Sequence, residues 1–97
     1  MHQKFPLTIK LFIMPGFITR IELYKADQND YEILHREMRK ELFTGLKVSP
    51  DKNRNKDLKQ VEYTREGPIS LLDVNSATLR AAGKTGRKYS FTVIRKR

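Results

Sequence analysis

Hydrophobic and polar residues alternate with a period of two in several parts of the chain. The segment 17–24 places Phe17, Ile21 and Leu23 on one side and mostly polar residues on the other. This is the pattern of a half-buried β-strand rich in β-branched and aromatic residues. The same period predicts strands at 46–48, 58–64 and 88–94. A polar, turn-rich segment without apolar residues other than proline separates the second strand from the third and predicts a hairpin tip at 49–57.

Two other segments have the spacing of amphipathic helices. In 30–43, apolar residues recur at helical intervals: Tyr31, Leu34, Met38 and Leu42. Either Asp27 or Asn29 can act as the N-cap of this helix, and Gly45 closes it. Ser70 precedes Asp73 by three positions, the acidic form of a capping box. It predicts a second helix at 71–82, which ends at Gly83 or Gly86.

The most apolar segment lies near the N-terminus, and it is not predicted to be a signal peptide or a membrane span. Lys10 divides it, Pro15 and Gly16 interrupt it again, and no small-residue cleavage site follows. Alternation in residues 7–11 predicts an additional edge strand. The alternative is that Met14 is the natural start and that residues 1–13 form a loose arm. We therefore expect an extension or extra strand at 1–13 and one domain at 14–97.

The predicted order from Phe17 is strand, helix, strand, strand, helix, strand. This is the order of an α+β, ferredoxin-like βαββαβ domain, with a four-stranded antiparallel sheet and two helices on one face. The first and third strands would lie in the centre of the sheet. The uncovered face would then be available to RNA or to a second subunit.

Composition adds a strong positive charge and excludes cysteine chemistry. The chain has 97 residues, a net charge of +9 and no cysteine, so we expect a cytoplasmic domain without disulfides or thiolate metal sites. Residues 80–97 contain seven bases and no acid, and residues 1–20 contain three bases and no acid. If the terminal segments pair in one sheet, these charges form one basic face that attracts nucleic acid. Alternatively, the charge serves only solubility.

Several residues are candidates for contact with nucleic acid. The segment 82–86 lacks the first glycine of a phosphate-binding P-loop, since position 78 is threonine, so this motif is not predicted. Arg20 and Tyr63 would suit phosphate contact and base stacking if both lie on the uncovered face, although Tyr63 could equally belong to the core. The remaining candidates for phosphate contact are basic residues near the C-terminus: Lys84, Arg87, Lys88 and Arg95.

Few residues suit catalysis. His35 lies beside the apolar stripe of the first helix, where it is either a hydrogen-bonded boundary residue or a general base. Glu22 and Asp27 lie near the end of the first predicted strand. Their carboxylates could hold Mg²⁺ at a phosphodiester, or act only as helix caps and surface acids. No dedicated metal site is predicted, and the candidate catalytic residues are Glu22, Asp27 and His35.

The residue pattern also resembles a known group of proteins. The run 17–26 is followed by Asp30-Tyr31, Leu34-His35, Met38, Glu62-Tyr63 and 88–90. Together these residues look like a family of small bacterial and prophage proteins of unassigned function and, more distantly, like GhoS-type antitoxins of type V toxin–antitoxin systems. This resemblance implies a ferredoxin-like endoribonuclease. Tyr24 stands where that family is expected to have a histidine, and the positive charge of this chain differs from the acidic character of such antitoxins.

The sequence therefore supports two hypotheses from different classes. The first is a small RNA-binding protein that also cleaves RNA. The second is a noncatalytic interaction module whose open sheet face pairs with a second copy or with another protein. The thin core of so small a domain makes a homodimer the expected state.

Overall fold

The computed structural model describes residues 16–50 and 59–96. They form four strands and two helices, in the predicted order: β1 (Gly16–Leu23), α1 (Gln28–Lys40), β2 (Thr44–Pro50), β3 (Lys59–Glu66), α2 (Leu71–Gly83) and β4 (Tyr89–Arg95). The additional strand predicted within residues 1–13 lies outside the described residues, as does most of the predicted hairpin tip. The α+β, ferredoxin-like arrangement of the sequence analysis is confirmed.

The sheet is antiparallel, with the strand order β2-β3-β1-β4. β1 and β3 are the central strands, as predicted. Arg20 of β1 stands opposite Glu62 of β3 and Thr92 of β4. The first and last strands are therefore neighbours, which brings two distant parts of the chain together.

One face of the sheet is buried beneath both helices. Strand β1 alternates between buried and partly exposed positions, as expected for a strand with one covered face. The core consists of residues from the two central strands, both helices and Phe43: Phe17, Ile21, Leu23, Tyr31, Leu34, Met38, Phe43, Val61, Tyr63, Val74, Ala77, Ala81 and Ala82. Tyr89, Phe91 and Val93 of β4 pack against this core, so alternate residues of this strand lie on the covered face.

Helix α1 begins as the sequence suggests and ends earlier than predicted. Asp27 is the N-cap, and it exchanges hydrogen bonds with Asp30 in a capping box. The helix ends at Lys40 rather than Phe43. Leu42 has a φ of 71°, and its N–H donates to the carbonyl of Arg39, while the N–H of Phe43 donates to that of Met38. These two bonds form a Schellman motif in which Leu42 takes the left-handed position usually held by glycine.

This helix end changes which residue enters the core. Leu42, predicted to belong to the buried stripe, is 66% exposed, and Phe43 is 2% exposed instead. Gly45 was predicted to close the helix, but it lies within β2. This strand begins at Thr44 and not at Leu46. Helix α2 agrees closely with its prediction. The side chain of Ser70 accepts a hydrogen bond from the N–H of Asp73 at the start of the helix, and the helix ends at Gly83.

Candidate functional site

The candidate site forms where the boundary of α1 meets the covered face of β3. Leu34 and Met38 turn into the core, which places His35 at the edge of the buried stripe. Tyr63 of β3 faces the helices and is 3% exposed. Its hydroxyl oxygen lies 2.5 Å from Nδ1 of His35. A core tyrosine and a boundary histidine are therefore joined by a hydrogen bond.

The protonation states follow from burial. Burial raises the pKa of the Tyr63 phenol far above its ordinary value of 10. Burial, and then the nearby positive charge of Arg39, lower the pKa of His35 below 6.5. At neutral pH the histidine is thus uncharged, and Nδ1 can accept the hydrogen of the tyrosine hydroxyl. In that arrangement the ring carries its own hydrogen on Nε2, which becomes the nitrogen available to a ligand.

A small cavity of about 260 Å³ opens beside this pair. We call it the His35 pocket, and its lining residues come from α1, the turn after it, β2 and β3: His35, Arg39, Phe43, Thr44, Gly45 and Tyr63. Gly45 has a φ of 69°, and a Cβ atom there would lie 3.1 Å from the side-chain oxygen of Thr64. A glycine therefore suits both the backbone and the close approach of the two strands at the pocket wall.

The charge of the pocket comes from Arg39. Three neighbouring cations lie at 3.2 to 4.0 Å from the single carboxylate of Glu37: Arg36, Lys40 and Lys84. Within residues 16–50 and 59–96, no carboxylate forms an ion pair with Arg39. Arg39, whose guanidinium has five N–H donors, and His35, which carries its hydrogen on Nε2, therefore both line one small cavity. This set of donors, with an apolar wall at Phe43, is suited to binding an anion.

The residues expected to catalyse RNA cleavage do not come together. Glu22 lies on the open face of the sheet, whereas His35 contacts Tyr63 on the covered face. Asp27 caps α1, eight residues before His35, which corresponds to about 12 Å along a helix. Among the described residues, no group of three or more histidine, aspartate or glutamate side chains could hold a metal ion.

The open sheet face differs from the expected aromatic and basic surface. Of the two alternatives for Tyr63, the core position is the one observed, because the alternation of β3 turns this side chain toward the helices with Val61. Arg20 does lie on the open face, but its Nε atom is 2.6 Å from a carboxylate oxygen of Glu62. Lys96 similarly pairs with Glu66. Strands β1 and β4 pair as predicted for the terminal segments, yet acids of β3 accompany the bases Arg20 and Lys96.

The other predicted phosphate-binding residues are distributed over several parts of the fold. The Nε atom of Arg87 lies 2.8 Å from a carboxylate oxygen of Asp30. The ammonium of Lys88 lies 5.7 Å from the ring centre of Tyr24. Lys84 approaches Glu37 at 4.0 Å. The guanidinium of Arg95 lies 5.0 Å from the ring centre of Phe17 on the covered side. These side chains therefore do not form one cluster around the His35 pocket.

Sequence reasoning selected His35 and Tyr63, for separate roles, but none of the other residues that line the pocket as a candidate for binding. Arg39 follows His35 by four positions, and this spacing places two helical residues on one face. That signal was available in the sequence. The contributions of Thr44 and Gly45 were not predictable, because they depend on the early end of α1 and the early start of β2.

Comparison with other proteins assigns this chain neither to a family nor to a function. No family model matches the chain, and no curated protein matches it. The likeness to GhoS-type antitoxins therefore stays a prediction from short residue patterns. Within the described residues, neither helix is long and apolar enough to cross a membrane.

Proposed function

We propose that this protein binds single-stranded RNA and holds one backbone phosphate in the His35 pocket. The observation that carries the proposal is the contact between Tyr63 and Nδ1 of His35. It supports a neutral histidine whose Nε2–H is free to donate, in the cavity that Arg39 also lines.

The size and charge of the site favour a phosphate on a flexible chain. Arginine binds phosphate through parallel N–H donors, and such charge-assisted bonds are about twice as strong as neutral ones. A cavity of about 260 Å³ has room for a phosphate group and part of a sugar. A single strand can bend to place one phosphate there, whereas the backbone of a duplex is held on a wide cylinder. The net charge of +9 adds long-range attraction for polyanions.

The proposal covers binding and does not include cleavage. A neutral His35 that accepts from Tyr63 carries a hydrogen on Nε2, so this nitrogen cannot remove the proton of a ribose 2′-hydroxyl. Glu22 and Asp27 lie elsewhere in the fold. The choice of RNA over DNA rests on the resemblance to GhoS-type antitoxins.

The test compares two arginine variants of the full chain. Arg39→Gln removes the pocket cation, and Arg36→Gln removes an exposed cation three positions earlier on the same helix, which is paired with Glu37. Binding of a fluorescent, unstructured RNA is measured by anisotropy at low and moderate salt. A charge-assisted hydrogen bond contributes roughly 1.5–3 kcal/mol, so Arg39→Gln should weaken binding at least about tenfold. We expect a loss of about threefold or less for Arg36→Gln.

Three results would contradict the proposal. The first is no binding of the wild-type chain at low salt, and the second is binding that does not respond to salt. The third is an equal loss in both arginine variants, which would indicate attraction by net charge alone. Single-stranded DNA and duplex RNA serve as competitors, and gel analysis of the recovered RNA reports any cleavage.

A further inference from the structure

The solvent-facing side of α2 carries an apolar seam that the described part of the fold leaves uncovered. The inner side of this helix packs on the sheet through residues such as Val74, Ala77 and Ala81. On the opposite side, Leu72 is 73% exposed and Leu79 is 50% exposed. Their spacing of seven residues places both leucines on the same line along the helix.

Small residues alternate with the leucines along this line. Ser76 lies between Leu72 and Leu79, and Gly83 follows them, with intervals of four, three and four residues. This is the spacing of the contact positions of two packed helices. A Cβ atom placed on Gly83 would meet no atom within 4 Å apart from its chain neighbours and the backbone of its own helix, so the end of the seam is open. The sequence of this face is therefore large, small, large, small.

We propose that the seam binds a second copy of this chain, with the two α2 helices packed antiparallel. In that arrangement Leu72 of one copy packs against Gly83 of the second copy, and Leu79 packs against Ser76. A two-fold axis repeats each contact, so one surface is complementary to itself. The large–small alternation allows the two helices to approach closely. This inference is independent of RNA binding.

Charge complementarity on the flank of the seam supports an identical partner. Asp73 lies in the first turn of α2 and Arg80 in the last, seven residues apart and on the same side of the leucines. In an antiparallel pair of helices, equivalent flanking positions meet, so Asp73 of each copy approaches Arg80 of the other. Asp73 has no ion pair within the described residues. Arg80 uses Nε and Nη2 to bind Glu41, and its Nη1 remains for a second acceptor.

The expected interface is small. A helix of 13 residues is about 20 Å long, and one helix pair buries less surface than the roughly 1,200 Å² of a standard interface. The dimer should therefore be weak and concentration-dependent. Sedimentation velocity of the full chain must cover concentrations from a few micromolar to several hundred micromolar.

The first experiment removes the seam and compares it with another exposed leucine. Leu72→Ser combined with Leu79→Ser should make the chain monomeric across the whole concentration range. Leu42→Ser is the matched control, because Leu42 is similarly exposed and lies outside α2. It should dimerise like the wild type. Circular dichroism establishes that each variant keeps its helical content.

The second experiment tests the antiparallel arrangement through charge. Asp73→Lys alone and Arg80→Glu alone each place like charges together in a dimer of that variant, so each should dimerise several-fold more weakly than the wild type. A mixture of the two variants restores both attractions. It should form a mixed dimer at least several-fold more stable than either variant alone.

Three outcomes would overturn the inference. The first is a wild-type chain that stays monomeric at every concentration. If the leucine double variant also melts at a lower temperature than this monomeric wild type, the two leucines are covered within a single chain and not by a second copy. The second is equal dimerisation of the leucine double variant and the Leu42 control. The third is a mixture of the two charge variants that associates no better than its components.

Discussion

Replacement of Tyr63 by phenylalanine isolates the contact on which the candidate site depends. The change removes only the hydroxyl that lies 2.5 Å from Nδ1 of His35 and keeps the buried ring in place. A hydrogen bond of this kind contributes about 0.5–1.5 kcal/mol to stability. Because His35 is only half-buried, water can reach its freed nitrogen, so we expect a loss of about 1 kcal/mol. For a domain of this size that corresponds to a fall of roughly 4–8 °C in Tm.

The same variant should also change the chemistry of the pocket. Without the tyrosine hydroxyl, His35 is free to rotate and to carry its hydrogen on either nitrogen, so its Nε2–H is no longer held toward a phosphate. We expect RNA binding to weaken about threefold to tenfold, in accord with the loss of one oriented hydrogen bond. Melting curves and anisotropy titrations on one protein preparation measure both effects.

Tyr31→Phe is the matched control. The Tyr31 hydroxyl is also buried in the core, near the backbone of Leu23 and Lys59, but it makes no hydrogen bond of acceptable geometry within the described part of the chain. Its removal should leave Tm unchanged or raise it slightly, and RNA binding should be unaffected. If Tyr63→Phe and Tyr31→Phe behave alike in both assays, the contact between Tyr63 and His35 contributes neither to stability nor to RNA binding.

Three further predictions concern stability. Burial and Arg39 lower the pKa of His35, so below pH 6.5 the unfolded chain binds more protons than the folded chain, and the wild type should lose stability as pH falls. In urea titrations at pH 7.5 and 5.5, the His35→Gln variant should lose less stability than the wild type. Equal losses would contradict the lowered pKa of His35. Leu42→Gly should raise the free energy of unfolding by about 1 kcal/mol, because glycine accepts a φ of 71° without strain; unchanged stability would refute the role of the helix end. The hydroxyl oxygens of Thr19 and Thr78 lie 3.3 Å apart in the core. Each single change to valine should lower the free energy of unfolding by about 1–3 kcal/mol, and the double change should lower it by less than the sum of the two. An additive result would show that the two hydroxyls are not coupled.

The strands and helices could be predicted because their patterns are local. The alternation in β1 and the helical spacing of Tyr31, Leu34 and Met38 each identify an element and its buried side. The error came at the end of α1, where Leu42 continues the helical spacing. The chain leaves the helix there through a Schellman motif that contains no glycine, and Phe43 takes the core position.

The candidate site was predictable only in part. The face of β3 that carries Tyr63 could have been inferred from Val61, since residues two apart share a face and valine favours the core. The partner of His35 could not, because it depends on where α1 lies over the sheet. The ion pairs on the open face depend in the same way on strand register, which sets Arg20 beside Glu62.

Among the strands of residues 16–50 and 59–96, β2 lies at one edge of the sheet, and it is poorly suited to recruiting another strand. Its register with β3 shifts between Thr44 and Lys47, Gly45 adopts a left-handed conformation, and the strand ends at a proline that has no N–H to donate. A charged lysine also stands in its middle. Irregular backbone, charge and proline are the devices by which natural sheets avoid edge-to-edge pairing with other molecules. We therefore expect that β2 does not pair with strands of other chains, even at high protein concentration.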